Sequence, residues 1–471
     1  MPEAISRVEF TADEREGFFA AIERHRRAAW RVTAAAALAI GVAALVTSLL
    51  LAPFFYAAFV VLTDVLNLIV PVPNYLGDFV VYVDDWQDAP GRVPASQWAA
   101  WTIYAALPGG ACVAIVVFAL NRAMRVLVEI DVAALALTAP TDLTLTEQRL
   151  RNVIAEMSIA ANMLPPTVFI VETRAHGASV FATSGKPTLV ISRGLLARLN
   201  RAEMQGVAAH LVASVANGDV AIGRRAALAL AFFNLVSRLA VVFNRPRAGG
   251  ELARILGALL WPTRPRIEAI ATTLGESFTA SRDAAPVTPL LAKAQGWLAL
   301  ILMGPVVLTG FFGGIVGFLL LAPLLAFAWR QRKYMADATA VRLTRDPDTL
   351  GRALEKLSTQ AGDALGAWNA HLSVAQRPGA GGVALAASFV SMFPSTDRRL
   401  RALRRLGATL SRPTHRWPLR KSLIASALLA AGAVATAVLL PLLVFLSVGL
   451  SMLFLGLPLS ITHVLLRWLG Q

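Results

Sequence analysis

The residues able to do metal or nucleophile chemistry in this chain are few. There are six histidines, His25, His176, His210, His371, His415 and His463, and one cysteine, Cys112. A lone cysteine excludes an intramolecular disulfide and a cysteine zinc knuckle. His210 falls in the middle of an apolar-faced segment, Arg201–Asn217, that reads as a helix. His176 lies in the Thr173–Ala178 loop and His371 in Asn369-Ala-His-Leu372, and neither has a partner at ligand spacing. His25 and His415 sit among arginines, and His463 is inside the last apolar run. An isolated histidine is more often a hydrogen-bonded structural residue than a ligand, because zinc needs three or four donors. Lys333 and Asp337 are one helical turn apart, and the plain reading is an i,i+4 ion pair. Ser214 with Lys333 would suit a Ser–Lys dyad, but nothing marks an oxyanion hole. There is no Gly-rich phosphate loop and no internal repeat.

These residues are set among membrane-like runs. Of the 471 residues, 56% are hydrophobic and 15% charged, against roughly 45–50% and about 25% in soluble proteins. A simple soluble globule and a disordered chain are both excluded. Val32–Leu62 is a 31-residue uncharged run, and Trp98–Leu120 is a second. Gly296–Trp329 is a third, broken at Gly304-Pro305, and Ser422–Leu466, at 45 residues, is long enough for two passes. Ala226–Phe243, with Asn234 and Arg238, is a weaker candidate. A span needs about 20 apolar residues, so five or six transmembrane helices are expected. The charged first 31 residues do not resemble a cleavable signal peptide.

The net charge is +15, and only five of the 44 basic residues are lysine. The arginines cluster at membrane edges, where they report orientation. Arg15, Arg24, Arg26, Arg27 and Arg31 precede the first run, and Arg122 and Arg125 follow the second. The loop between them carries Asp64, Asp78, Asp84, Asp85 and Asp88 against Arg92. The N-terminus, the segment from Asn121 on and the basic stretch Arg412–Lys421 are therefore expected inside, and the acidic loop outside. No aromatic platforms interleave the arginines, so a nucleic-acid partner is not expected. In the N-terminal tail, Thr11–Glu14 fits a capping box and Phe18, Phe19 and Ile22 make an apolar stripe. Such a helix would lie on the membrane or pack on the polar domain.

Two polar segments remain, and their order gives the expected organisation: a tail (1–31), two spans with an acidic loop (32–120, loop 63–97), a first half-domain (121–225), membrane segments with a basic connection (226–329, loop 244–295), a second half-domain (330–421) and a last membrane segment (422–471). In the first half-domain, Glu147–Ala161 has helical spacing and Pro165-Pro166 ends it. Thr167–Val171 and Pro187–Ser192 read as strands. In the second, Arg332–Thr344, Pro347–Gln360 and Pro394–Leu406 read as helices, and Gly379–Gly382 as a loop.

Six collinear blocks resemble the integral-membrane zinc metallopeptidases of the HtpX and CAAX-prenyl-endopeptidase type. Ser179-Val180-Phe181-Ala182-Thr183 is similar to the family's Asn-Ala-Phe-Ala-Thr edge strand, and Ser192–Asn200 to its TxGLLxxLx lead-in. Arg201–Asp219 lines up without gaps on the helix that carries HExxH. Arg332-Lys-Tyr-Met-Ala-Asp337 is similar to REYxAD, and Leu343–Pro347 with Leu354–Leu357 to LTxDPxxLxxALxKL. Phe393-Pro394-Ser-Thr-Asp-Arg-Arg399-Leu400 is similar to the late HPxxxxRI motif. The resemblance implies a mainly α membrane protein with a zincin-like α+β domain, helices plus a small sheet, embedded between the spans. It also implies zinc as the family cofactor and a bacterial inner-membrane location with the peptidase-like domain on the cytoplasmic side.

The same resemblance implies that the chemistry is lost. In HExxH, two histidines one turn apart bind zinc and the glutamate polarises the metal-bound water. Here His210 keeps the first ligand position, Leu211 stands at the base, Ser214 at the second histidine and Lys333 at the downstream glutamate. Phe393 stands at the late histidine. An ammonium beside a dication in a low-dielectric site is strongly unfavourable, so no zinc site and no catalytic residue are expected. Asp337, matching a residue that supports the first histidine, would orient His210, with Lys333 substituting for the metal's charge. The expected function is that of an inactive membrane pseudopeptidase, binding a protein partner or extended peptide beside Ser179–Thr183. The alternatives are an active endopeptidase with other ligands and a lipid- or small-ligand-binding membrane protein.

Overall fold

The computed structural model describes residues 15–71, 94–137, 143–172, 177–183, 186–239, 248–270, 309–310, 312–360, 374, 393–410 and 434. Helix α1, Phe18–Asn67, runs 50 residues, and α2, Ala95–Leu137, runs 43 with Pro108 inside it. Along α1 a small-residue stripe, Ala29, Ala36, Ala43 and then Leu50, is buried at every seventh position. Small side chains let membrane helices approach closely. At Gly109 of α2 the approach is extreme, since an added Cβ would fall on the Ser48 carbonyl. Both helices cross the expected membrane boundaries: α1 begins fourteen residues before Val32 and α2 continues seventeen past Leu120.

Helix α3, Leu145–Ala160, opens with a capping box between Thr144 and Glu147, and Glu147 also receives Arg193 at 2.7 Å. A three-stranded sheet follows: β1, Thr167–Val171; β2, Ala178–Thr183; β3, Lys186–Ser192. Its order is β1-β3-β2, with β1 parallel and β2 antiparallel to the central β3. β3 is buried from Thr188 to Ser192, as a central strand covered on both faces should be. A short turn of helix, α4 (Arg193–Leu196), leads to α5, Arg201–Ala216, and α6, Asp219–Arg238. Gly218 joins these two at φ 74°, the left-handed region that glycine occupies without cost. The expected weak span at Ala226–Phe243 is thus a helix that begins at Asp219.

Helix α7, Ala248–Leu260, is followed by a π-helical turn, Val316–Leu321, that runs into α8, Ala322–Thr344. The helix expected over Arg332–Thr344 therefore starts ten residues earlier, inside the third apolar run. Helix α9, Pro347–Gln360, and α10, Thr396–Arg405, complete the described elements. The described residues are mostly helical with one small mixed sheet. Among them, three helical segments, Phe18–Ala52, Ala106–Ile130 and Asp219–Arg238, are long and apolar enough to cross a membrane. The Thr11–Glu14 capping box, the Gly379–Gly382 loop and the Ser422–Leu466 run lie outside the described residues.

The N-terminal turns of α1 pack on the polar domain, the second of the two expectations for the tail. Glu16 N–H donates to the Arg405 carbonyl at 2.8 Å, and His25 Nδ1 lies 2.7 Å from Gln331 Oε1. The Arg345 guanidinium stacks over Phe18, 5.0 Å from its ring centre.

Candidate functional site

Helix α5 is fixed at its start by a second capping box: Glu203 N–H donates to Asn200 Oδ1 and Asn200 N–H to Glu203 Oε2, both at 2.9 Å. Each bond satisfies a helix-end donor that would otherwise lack a partner. Lys356 of α9 reaches the same carboxylate at 2.6 Å. Gly206, on the next turn, lets α9 approach so closely that a Cβ would sit 2.5 Å from the Leu350 nitrogen. These contacts hold α5 in register, and from Met204 to Ser214 all but Gln205 are buried.

His210 is 0% exposed, and its Nδ1 lies 2.8 Å from Asp337 Oδ1 of α8. The contact has ion-pair distance without hydrogen-bond alignment, and Nε2 on the far side of the ring has no hydrogen-bond partner among the described residues. Asp337 is held more firmly by α10: Arg399 Nε donates to Oδ2 at 2.8 Å and Arg399 Nη2 to Oδ1 at 2.6 Å. At the other end of the helix pair, Arg332 Nε donates to Asp219 Oδ1 at 2.6 Å and Nη2 to the Asn217 carbonyl at 2.5 Å. Going from His210 to Asp219 along α5 and into α6 therefore runs from Asp337 back to Arg332 on α8, so α5 and α8 are antiparallel. Ser214, one turn after His210, and Lys333, one turn before Asp337, then stand at the same level. Ser214 Oγ is buried beside Asp219 without an aligned hydrogen bond. Lys333 Nζ lies 5.3 Å from the Phe393 ring centre and 6.0 Å from that of Trp329.

Burial governs the electrostatics. It pushes the His210 imidazole down to about 4, against the pull of Asp337, so the ring is neutral at pH 7. Burial, then Arg399, pushes the Lys333 ammonium down to about 7, with Asp219 and Asp337 opposing. Burial alone would raise the Asp337 carboxyl, but Arg399 and His210 hold it well below the ordinary carboxylate range. Among the described residues no three His, Cys, Asp or Glu side chains converge as a metal-binding group.

The structure thus brings His210, Leu211, Ser214, Lys333, Asp337, Phe393 and Arg399 to one region between α5, α8 and α10. Leu211 is 0% exposed, in the apolar core, and Pro394 is buried just before α10. The plain Lys333–Asp337 pair is not the main feature, because Arg399 takes both oxygens of Asp337. Arg399 is legible in the sequence only as part of a motif; its place beside Leu400 and Leu403 on an otherwise basic helix is the available signal. Sequence reasoning misses the Arg332–Asp219 pair, and it misses Val374. Val374 N–H donates to the Ala178 carbonyl at 2.8 Å, on the side of β2 away from β3, and its own carbonyl accepts from Arg399 Nη1. Gly177 pairs with Ser192, so by alternation Val180 and Ala182 present their backbone groups on that same outer side. Ser179 and Val180 are buried; Phe181, Ala182 and Thr183 continue the strand. His176, His371, His415 and His463 lie outside the described residues.

A buried His–Asp–Arg cluster thus lies between antiparallel helices, beside a small sheet, in a chain whose described residues include three apolar helical segments of membrane-crossing length. The profile of Peptidase family M48 matches residues 144–406. The chain is 30% identical over 264 residues to a "Protease HtpX homolog" of Dictyoglomus thermophilum, covering 55% of this chain and 69% of that one. It is 28% identical over 236 residues to one of Listeria innocua, covering 48% and 63%, and 32% identical over 213 residues to one of Dictyoglomus turgidum, covering 44% and 53%. No solved structure matches. The chain belongs to peptidase family M48 and is an integral membrane protein; it spans between 53% and 69% of the length of these relatives.

Proposed function

We propose that this chain is a catalytically inactive member of its family that binds an extended peptide or partner protein at the membrane. The observation that carries the reading is Lys333, a buried side chain at the position where the resemblance calls for an acidic zinc ligand. The donor set does not fit the metal. His210 offers one neutral nitrogen, Nε2, that no described residue engages; Ser214 offers a hydroxyl, Lys333 an amine that is charged below about pH 7, and Leu211 no base at all. Zinc peptidases need three protein donors and a general base. These side chains therefore supply no hydrolytic step.

Binding needs none of these groups. A peptide adds to a sheet edge through backbone hydrogen bonds, and the outer edge of β2 is the surface suited to it. The first position, Ala178, already pairs with Val374 of the same chain, so an added strand would begin at Val180. The fuller topology of five or six spans, with the N-terminus and the peptidase-like domain on the cytoplasmic side of a bacterial inner membrane, belongs to the same reading. A role in protein quality control follows the family resemblance.

The test is to purify the protein in detergent, measure bound metal, and assay casein cleavage beside a Leu211→Glu/Ser214→His/Lys333→Glu variant. We expect no stoichiometric zinc and no cleavage by the unaltered chain. Stoichiometric zinc, or casein cleavage that a chelator stops, would sink the reading.

A further inference from the structure

Helix α2 carries one uncovered stripe. Ile103, Leu107, Ile115 and Phe118 follow one another at helical spacing, with the exposed Ala111 between them, and are 61%, 45%, 56% and 69% exposed. The next two positions of the same stripe, Arg122 and Arg125, are also exposed. The change from apolar to cationic therefore falls within one turn, between Phe118 and Arg122. From Leu107 to Phe118 the apolar part measures about 16 Å at the helical rise. That is about half of the roughly 30 Å hydrocarbon core, the depth of one leaflet.

A second arginine pair belongs to the neighbouring helix. α2 packs against α6, and both touch β2. Arg224 and Arg225 are exposed on α6 just before its apolar stretch from Ala226 on. Each pair thus stands at the polar-domain end of an apolar stretch. No ion pair joins any of the four arginines to a described residue. Glu129, one turn past Arg125, is exposed and pairs with none of them, and Asp219, at the start of α6, is taken by Arg332. Helix orientation accounts for arginines on this side of the membrane, but not for their continuity with an uncovered apolar stripe. A guanidinium forks onto two oxygens of a phosphate, and basic surfaces between membrane helices take anionic headgroups.

We propose that Arg122 and Arg125 of α2, with Arg224 and Arg225 of α6, hold the phosphodiester headgroup of an anionic phospholipid whose acyl chains lie along Leu107, Ile115 and Phe118. The occupant is a lipid, because a soluble phosphate would leave the apolar stripe uncovered. This surface stands apart from the His210 cluster and is the same whether or not that cluster holds a metal.

The test uses the full chain in a non-ionic detergent, washed free of native lipid. Thermal unfolding is followed by tryptophan fluorescence with dioleoylphosphatidylglycerol, with dioleoylphosphatidylcholine, and with glycerophosphoglycerol, the same headgroup without chains. Phosphatidylglycerol is expected to raise the melting temperature by about 2–4 °C near saturation; the other two leave it unchanged. Arg122→Gln/Arg125→Gln and Arg224→Gln/Arg225→Gln are each expected to weaken the response about tenfold or more in lipid concentration. Arg264→Gln/Arg266→Gln, which removes the same charge beyond α7, keeps it. All six side chains are exposed, so the variants should melt with the parent when no lipid is added. An equal rise with phosphatidylcholine would overturn the headgroup assignment, and an equal rise with glycerophosphoglycerol would show a soluble-phosphate site instead. A full response in Arg122→Gln/Arg125→Gln, or an equal loss in Arg264→Gln/Arg266→Gln, would reduce the effect to general charge attraction and remove the site.

Discussion

Arg399 holds both carboxylate oxygens of Asp337 across 62 residues of sequence, at 2.8 and 2.6 Å, with both side chains 2% exposed. The same guanidinium donates to the Val374 carbonyl, and Val374 pairs with the edge of β2. One arginine therefore ties the sheet edge, α10 and the His210 cluster together. Replacing it strands a buried carboxylate, a loss of about 3–5 kcal/mol. Arg399→Met is expected to lower the melting temperature more than any other single change at the cluster, measured by thermal unfolding in detergent. A melting temperature within a degree of the parent's would show that the grip contributes nothing.

Lys333 makes stability depend on alkaline pH. Its pKa falls from 10.5 to about 7 on folding, so between those values the unfolded chain holds a proton that the folded chain has released. Stability rises with pH through that window. Lys333→Met is expected to flatten the rise and to stabilise the protein by roughly 1–4 kcal/mol near pH 7. A parent melting temperature that falls steadily from pH 7 to 10 contradicts the assignment.

His210 acts at the acid end. Its pKa falls from 6.5 to about 4, so its neutral form supports the fold above pH 6.5 and that support is lost as pH drops toward 4. His210→Leu, which leaves the Asp337–Arg399 pair intact, is expected to lessen the acid loss in that interval. Identical pH–stability curves for parent and variant would count against a buried neutral imidazole.

Gly206 is a steric prediction. A methyl there meets backbone atoms of Thr349 and Leu350 at 2.5–2.8 Å, and backbone has no rotamer with which to yield. Gly206→Ala is expected to cost about 1–3 kcal/mol in spite of alanine's higher helix propensity. Gly250→Ala, with open space around it, serves as the control and should be neutral or slightly stabilising.

Topology can be read at Arg264, an exposed position between α7 and the third apolar run. With α6 as a crossing, Arg264 lies on the outer side. A cysteine placed there in a Cys112→Ser background is expected to react with an impermeant maleimide in intact cells. Labelling only in inside-out vesicles would reverse the assignment and make α6 a surface-lying helix.

The amino-acid order is most informative where the signal is local. Pro165-Pro166 after a helical period, and β-branched runs at Thr167–Val171 and Pro187–Ser192, mark elements whose ends differ by only one or two residues from those observed. The helices that join apolar runs to polar segments differ more: α1 begins fourteen residues before its uncharged run, and α8 ten residues before its expected start. Charge shows where the chain meets water, whereas a helix ends where its backbone hydrogen bonds end. The side chains brought together by the motif positions are legible from the family pattern. Their partners are not, because Arg332–Asp219 and Arg399–Asp337 join residues 113 and 62 apart, and an ion pair across that distance leaves no periodic trace.

The length of α1 has a mechanical consequence. At 1.5 Å per residue its 50 residues make a rod of about 75 Å, far longer than the roughly 30 Å of a bilayer's hydrocarbon core. Its first turns are pinned to α8 and α10 through His25, Phe18 and Glu16. A tilt imposed on the rod by a thinner or thicker bilayer is delivered, as a lever delivers it, to the ground on which Arg399 stands.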